Sequence, residues 1–424
     1  MQGMKPEREL IAGLRAALPA TVRARLDLAA EKVVKAKEKG QRVVVVTGSG
    51  PNIHEGVTTL IAELIRKGVV DGVITSSAVV GHEMAGTLDR VKRVKIEDDR
   101  ELGLPVEHLP RGHIFELTCL TPSQREALQR EMPEGWDLYD RLAPMPGETI
   151  VKAAGNIAWP LGLRTERLAR EAEALAKQSG TTLEHVVGLG ADPMTMIGAG
   201  AQHNVPVIVS VPQLVGSGAV GLAIGDAITI TQRCRLVADA LERAAVIIES
   251  AIALPQEIHD GPFETYTGHG IWAAWTSLPV YSLEGKTLIR FDLDPNLELA
   301  WRQERESAEV QKAVDRGLPK TKLTGIPFRM EMSGFARLEG SLPATVDIGV
   351  AWPMLASALE EALGIQLDFI SAPQETEAGQ RMREWIVDHV QFVDKHKMAE
   401  GIKRTAPRGR SAAAGPGLET RARS

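Results

Sequence analysis

Residues 7–39 set Leu10, Ile11, Leu14, Leu18, Val22, Leu26 and Leu28 at helical spacing among Lys and Arg. This pattern predicts an N-terminal helical cap over residues 1–40. It changes at Arg42. Residues 42–47 are an apolar, β-branched run, 48–56 a turn rich in Gly, Ser, Pro and Asn, 57–67 an amphipathic helix, and 69–75 a second apolar run. Strand, helix and strand at this length predict a βαβ crossover and hence a parallel sheet.

Residues 90–160 are less regular, with Glu97-Asp98-Asp99-Arg100, several prolines and Trp136-Asp137-Leu138-Tyr139. They read as an excursion placed to cover a site. A helix follows over about 164–178, and then short apolar runs at 205–210, 245–249 and 287–292, each preceded by a helical pattern. Such runs are what parallel strands buried on both faces require. The fold class predicted is α/β: a Rossmann-like parallel sheet flanked by helices. The units expected are the cap, a first α/β unit over 41–160, a second over 161–400 that completes a nucleotide site, and a disordered tail over 401–424, which lacks apolar periodicity.

At 424 residues the chain can bury a large core. A formal charge of -6 shows no bias toward nucleic acid or an anionic membrane, and no apolar run reaches the ~20 residues of a membrane span. Two cysteines, Cys119 and Cys234, make no disulfide framework and have no metal-type spacing. With a polar N-terminus, these features predict a cytoplasmic protein with a small-molecule partner.

The chemistry gathers where strands end, at the edge of an open α/β sheet where ligands bind. Thr47 to Gly56 is either a plain strand-to-helix turn or a cradle for phosphate oxygens, with Ser49, Gly50, Asn52 and Gly56 as contacts. Its spacing departs from G-x-G-x-x-G, and no P-loop lysine follows it. Within it, His54-Glu55 reads more readily as a helix cap than as a catalytic pair. The next strand ends in Ser76-Ser77 and leads to His82-Glu83, a general acid or base with a carboxylate beside it. Gly216-Ser217-Gly218 follows the 205–210 strand, with Asp226 beyond it. Its glycines fit either close approach of a ligand or a flexible loop. His259-Asp260 and His269 lie in the densest ionisable cluster, which leaves open a metal-dependent hydrolase or lyase, although no ligand spacing on one helix face supports a metal. Asp292, closing the 287–292 strand, suits a ribose diol or a helix start.

Gly40-Gln41-Arg42 through Gly56, Val80-Gly81-His82-Glu83, and above all Gly103-Leu104-Pro105-Val106-Glu107-His108 with His113-Ile114 resemble the carboxy-terminal domain of archaeal-type, NAD-dependent ornithine cyclodeaminases. Gln202 to Pro206 and Ile289 to Pro295 fit the order of that family's later blocks. More distantly, the arrangement is similar to the NAD-binding architecture of deoxyhypusine synthase. The resemblance implies bound NAD, a small amino acid or amine as substrate, transient hydride abstraction, an imine and ammonia release, in a homo-oligomer. It implies proton transfer by His82, Glu83, His108, Asp226, His259 and Asp260. Cofactor contacts would fall on Ser49, Gly50, Asn52, Gly56, Ser76, Ser77, Gly216, Ser217, Gly218 and Asp292. A protein that keeps the fold and binds a nucleotide without turnover is the remaining alternative.

Overall fold

The computed structural model describes residues 3–48, 50–98, 112–153, 155–251, 281–318 and 338–405, with residues 100, 103, 107, 109 and 325 between them. Among these, six parallel strands form one sheet: β1 (Arg42–Thr47), β2 (Gly72–Thr75), β6 (Val207–Val209), β7 (Ala244–Ser250), β8 (Thr287–Asp292) and β9 (Ser341–Thr345). Their spatial order is β6-β2-β1-β7-β8-β9. Counted along the chain this is 3-2-1-4-5-6, the order of doubly wound dinucleotide-binding sheets. The direction of winding reverses between β1 and β7, whose partners run from Val43 and Val246 to Thr47 and Ser250.

β1 owes its central place to four valines, Val43 to Val46, each at most 1% exposed. Val43 and Val45 face the larger core, with Leu60, Ile61 and Trp352, whereas Val44 and Val46 face a smaller one with Val237, Leu241 and Leu288. A run with no polar member is what burial on both faces demands. Burying each valine is worth on the order of 2 kcal/mol. The helix Val57–Arg66 returns the chain to β2. Gly56 starts it at φ 67°, and a Cβ there would lie 2.5 Å from Met382 Sδ, so backbone conformation and space both call for glycine.

The expected strands at 42–47 and 287–292 coincide with β1 and β8. β2 and β6 are shorter than the apolar runs that announce them, because Val69 and Val70 are used in the turn closing the preceding helix and Val205 N donates to Gly200 O. The helical pattern over 7–39 is two helices, Arg8–Ala17 and Ala20–Glu38, interrupted at Pro19, which has no N–H to continue the first. The excursion contains a second, antiparallel sheet of order β4-β3-β5, built from β3 (Asp89–Lys95), β4 (Ile114–Thr118) and β5 (Gly147–Lys152). In β3 the deeply buried residues Val91 and Val94 are three apart, so the period-2 signal of a strand is missing. Part of the expected tail is helical, since Lys395–Thr405 forms a helix, and residues 406–424 lie outside the described residues. Among the described residues no helix is long and apolar enough to cross a membrane.

Glu83 ties the two halves of the larger core together. It is fully buried, and its two carboxylate oxygens accept from Met196 N (2.8 Å) and Ile197 N (3.0 Å) at the start of the helix Met196–His203. Burial nevertheless pushes its pKa up to about 7. Glu83→Ala should cost about 3 kcal/mol by stranding two buried amides, and Glu83→Gln, which keeps one acceptor, about half as much. Urea denaturation checks this; equal stability of Glu83→Ala and the parent would exclude the anchoring role.

Candidate functional site

The carboxyl ends of β1 and β7 meet at the five-residue helix Gly50–His54. Asn52 points inward from it and is 1% exposed. Its Nδ2 donates to Ser250 O at 3.4 Å, while Ser250 Oγ donates to Asn52 Oδ1 and accepts from Trp352 Nε1 at 2.8 Å. This buried knot fixes the first turn against the end of β7 at the switch point. Beside it, three neighbouring strands end in buried hydroxyls with no hydrogen-bond partner: Thr47 on β1, Thr75 on β2 and Ser210 just past β6. Buried polar atoms are ordinarily paired with protein, water or ligand.

The same short helix carries His54, whose Nε2 accepts from Ala153 N at 3.0 Å. That bond leaves the ring proton for Nδ1. Burial, with Arg383 and Lys152 nearby, lowers the His54 pKa. Gly50 also meets the cover, since a Cβ there would lie 3.8 Å from Ala153 O. His82 enters from the helix Ser77–Met84 and is 7% exposed. Desolvation lowers its pKa to about 4, opposed by a hydrogen bond to the Gly155 backbone and assisted by the charges of His54 and Lys152. Lys152 is paired with Glu116 on β4. The small sheet thus brings Ala153 against His54 and Gly155 against His82, beside the ends of β1 and β2.

Glu55 faces the other way. Its Oε2 accepts from Gln374 N at 2.8 Å, and a Cβ on Gly349 would lie 2.3 Å from that oxygen. Asp347, beyond the end of β9, caps the helix Ile348–Leu363 through Gly349 N at 2.7 Å. Burial, and then Asp347 and Glu375 against the Gln374 amide, raises the Glu55 pKa to about 7. The two imidazoles, both shifted toward their neutral forms, lie beside the covered ends of β1 and β2 and can take part in proton transfer, while Glu55 packs away from them.

The other expected residues divide. Ser76 caps its own helix by accepting from Val79 N, and Ser77 Oγ donates to Gln213 O, so both hydroxyls serve the fold. Gly216 and Ser217 are brought onto that helix, whereas Gly218 is not: a Cβ on Gly216 would sit 3.5 Å from Ser77 Oγ, one on Gly81 would meet Ser217 Oγ at 2.4 Å, and one on Gly218 would meet nothing within 4 Å. Asp292 is buried at the end of β8, where it accepts from Asp294 N at 3.0 Å and from Arg290 Nη2 at 3.4 Å. Asp226 is exposed on the last turn of the helix Ala219–Ala227, where its charge reaches Lys177, and is not brought to His82. Glu83 is committed to the amides described above. Gly56 serves the helix start. Ser49, His108, His259, Asp260 and His269 lie outside the described residues, as does most of the Leu104 to His108 block. Among the described residues no group of three His, Cys, Asp or Glu side chains is placed to hold a metal.

Sequence pattern alone does not single out Thr47, Thr75 or Asp347, and it reads His54-Glu55 as a helix cap before a catalytic pair. A signal for the two threonines is present, since each is the first polar residue after an apolar run. Nothing local marks Asp347, whose neighbour Glu55 is 292 positions away by subtraction of their numbers.

No protein-family profile and no curated protein matches the chain. Solved structures similar to it include AgrE in complex with ornithine and NAD+ (15% identity, TM-score 0.35, 85% of this chain and 34% of that one). Others are a conserved candidate LOR/SDH protein from Methanococcus maripaludis S2 (11%, 0.36, 84% and 69%) and a candidate deoxyhypusine synthase from Entamoeba histolytica (9%, 0.40, 86% and 96%). The chain spans about a third of the AgrE chain. None of these likenesses bears on the chemistry of this chain.

The raised Glu55 pKa has a defined sign. A carboxyl whose folded pKa lies above its unfolded 4.5 contributes stability that is present below 4.5 and lost as pH rises through about 7. Relative to Glu55→Gln, the parent protein should therefore lose urea resistance between about pH 5 and about pH 8. His82 has the opposite sign: its contribution is present above 6.5 and lost as pH falls toward about 4. A pH-independent difference between the parent and Glu55→Gln would refute the buried-acid assignment.

Proposed function

We propose that the chain is a dinucleotide-dependent enzyme, with NAD as cofactor, acting on a small amino acid or amine with release of ammonia. The observation that carries the dinucleotide is the 3-2-1-4-5-6 strand order, with unpartnered hydroxyls at the carboxyl edge beside its switch point. The residues present fit such a ligand. Gly48 and Gly50 offer backbone without a side chain in the way, Thr47 and Thr75 offer hydroxyls, and Asp292 stands at the same edge to meet a ribose diol. NAD, when bound, would take up and return a hydride at the substrate carbon bearing the amine.

The chain's own residues then position the substrate and move protons. His82, neutral at pH 7, accepts a proton at its ring, and His54, whose Nε2 accepts from Ala153 N and whose ring also bonds the Gln374 side chain, orders the turn beside it. Ala153 and Gly155 exclude water from these rings. The amino-acid class follows from the resemblance of the 80–83 and 103–114 blocks. An ornithine cyclodeaminase is the most specific form of this reading, and a homo-oligomer is its expected state.

Differential scanning fluorimetry with millimolar NAD tests the reading. The melting temperature should rise, because a ligand that binds only the native state stabilises it. In Gly50→Asp, a side chain the turn has room for, a carboxylate would face the pyrophosphate and weaken binding about tenfold or more. The absence of any shift in the parent protein, or an equal shift in the variant, would overturn the assignment of this turn.

A further inference from the structure

A cavity of about 490 Å³ opens on the far side of β2 from the switch point, along the outer edge of β6. β6 is an edge strand with an unusual frame. Val73 N donates to Pro206 O and Ser210 N to Thr75 O, so Val207 and Val209 turn their backbone groups away from β2. At Val209 that edge is closed: its N–H donates to Glu184 Oε1 at 2.8 Å, and its carbonyl accepts from Arg233 Nη1 at 3.1 Å. Glu184 and Arg233 are themselves a buried ion pair. Upstream, Val205 N is already bonded to Gly200 O at 2.9 Å. At Val207 neither backbone group is taken by a described residue, and Val207 lines the cavity together with Ile197, Ile228 and Leu236. Leu236, 40% exposed, sets an apolar lip at the mouth, while Glu184 Oε2, buried and unpartnered, belongs to the cavity's polar wall.

An edge residue that presents both N–H and C=O exchanges two hydrogen bonds with one residue of an antiparallel partner. Because the frame is shut one step away on either side, a long strand cannot add here, whereas a single extended residue can. We propose that this cavity is a second ligand site, for a short peptide or acylated amino-acid amide with one apolar side chain. The ligand's amide N–H and C=O pair with Val207, and its side chain enters the apolar space beside Ile197, Ile228 and Leu236. The site is separate from the dinucleotide crevice, but it adjoins the Val209–Ser210 strand end that leads to Gln213 and Ser77.

The probe is N-acetyl-L-leucine N'-methylamide, titrated into the full-length chain by isothermal calorimetry and followed by saturation-transfer NMR. Saturable binding is expected. The same compound methylated on the leucine nitrogen should bind about tenfold more weakly, since it cannot donate to Val207 O. Leu236→Asp, at an exposed position, should weaken binding of the parent probe about tenfold with an unchanged melting temperature. Absence of binding up to about 10 mM, or equal affinity for the methylated probe, would overturn the proposal. So would self-association in sedimentation velocity that Leu236→Asp abolishes while the probe fails to bind, which would assign this edge to a second copy of the chain.

Discussion

The knot of Asn52, Ser250 and Trp352 holds the candidate site in place. Ser250 lies 198 positions from Asn52 and 102 from Trp352 in sequence, yet the three share hydrogen bonds at the one point where the sheet reverses its winding. All three are buried, so each lost bond would leave a polar group without water. The knot also sets the directions in which the next side chains leave the short helix. With Asn52 pinned inward, His54 is carried toward the cover strand and Glu55 toward the helix that starts at Asp347. A five-residue helix and the residue after it thereby distribute three functional groups to three directions.

Around that knot the protein has placed ionisable groups in dry surroundings. Desolvation is the largest influence on His54, Glu55, His82 and Asp89 alike. It pushes acids up and imidazoles down, favouring the uncharged form of each group. Buried structural carboxyls such as Glu83 are shifted in the same way, so the shift does not distinguish a catalytic residue from a capping one. Geometry does: both Glu83 oxygens are spent on helix amides, while His82 and His54 border the covered ends of β1 and β2.

The parallel sheet is legible in the sequence because its strands are buried on both faces, and burial of that kind writes an uninterrupted apolar run such as Val43 to Val46. The glycine-rich turn and the second polar turn at Ser76 are legible for a related reason, as polar residues at the carboxyl edge stand out against such runs. β9 is not legible. Its sequence Ser-Leu-Pro-Ala-Thr contains a proline, which sits in the ladder only because β9 is the last strand of the sheet. The small sheet is hidden by its charged β3, whose buried valines fall on opposite faces and so break the period-2 pattern. The hydroxyls of Ser76 and Ser77, expected as cofactor contacts, act as a cap and a clasp, since a local pattern does not say whether a serine's partner is a ligand or its own backbone.

A dinucleotide at the carboxyl ends of β1 and β7 is the ligand on which the proposed chemistry depends. Hydrogen–deuterium exchange of the full chain with and without saturating NAD tests it most directly. Slowed exchange is predicted in peptides covering 47–56, 75–84 and 244–251, with the outer edge at 180–208 unaffected. Unchanged exchange throughout, or protection confined to the 180–208 edge, would contradict it.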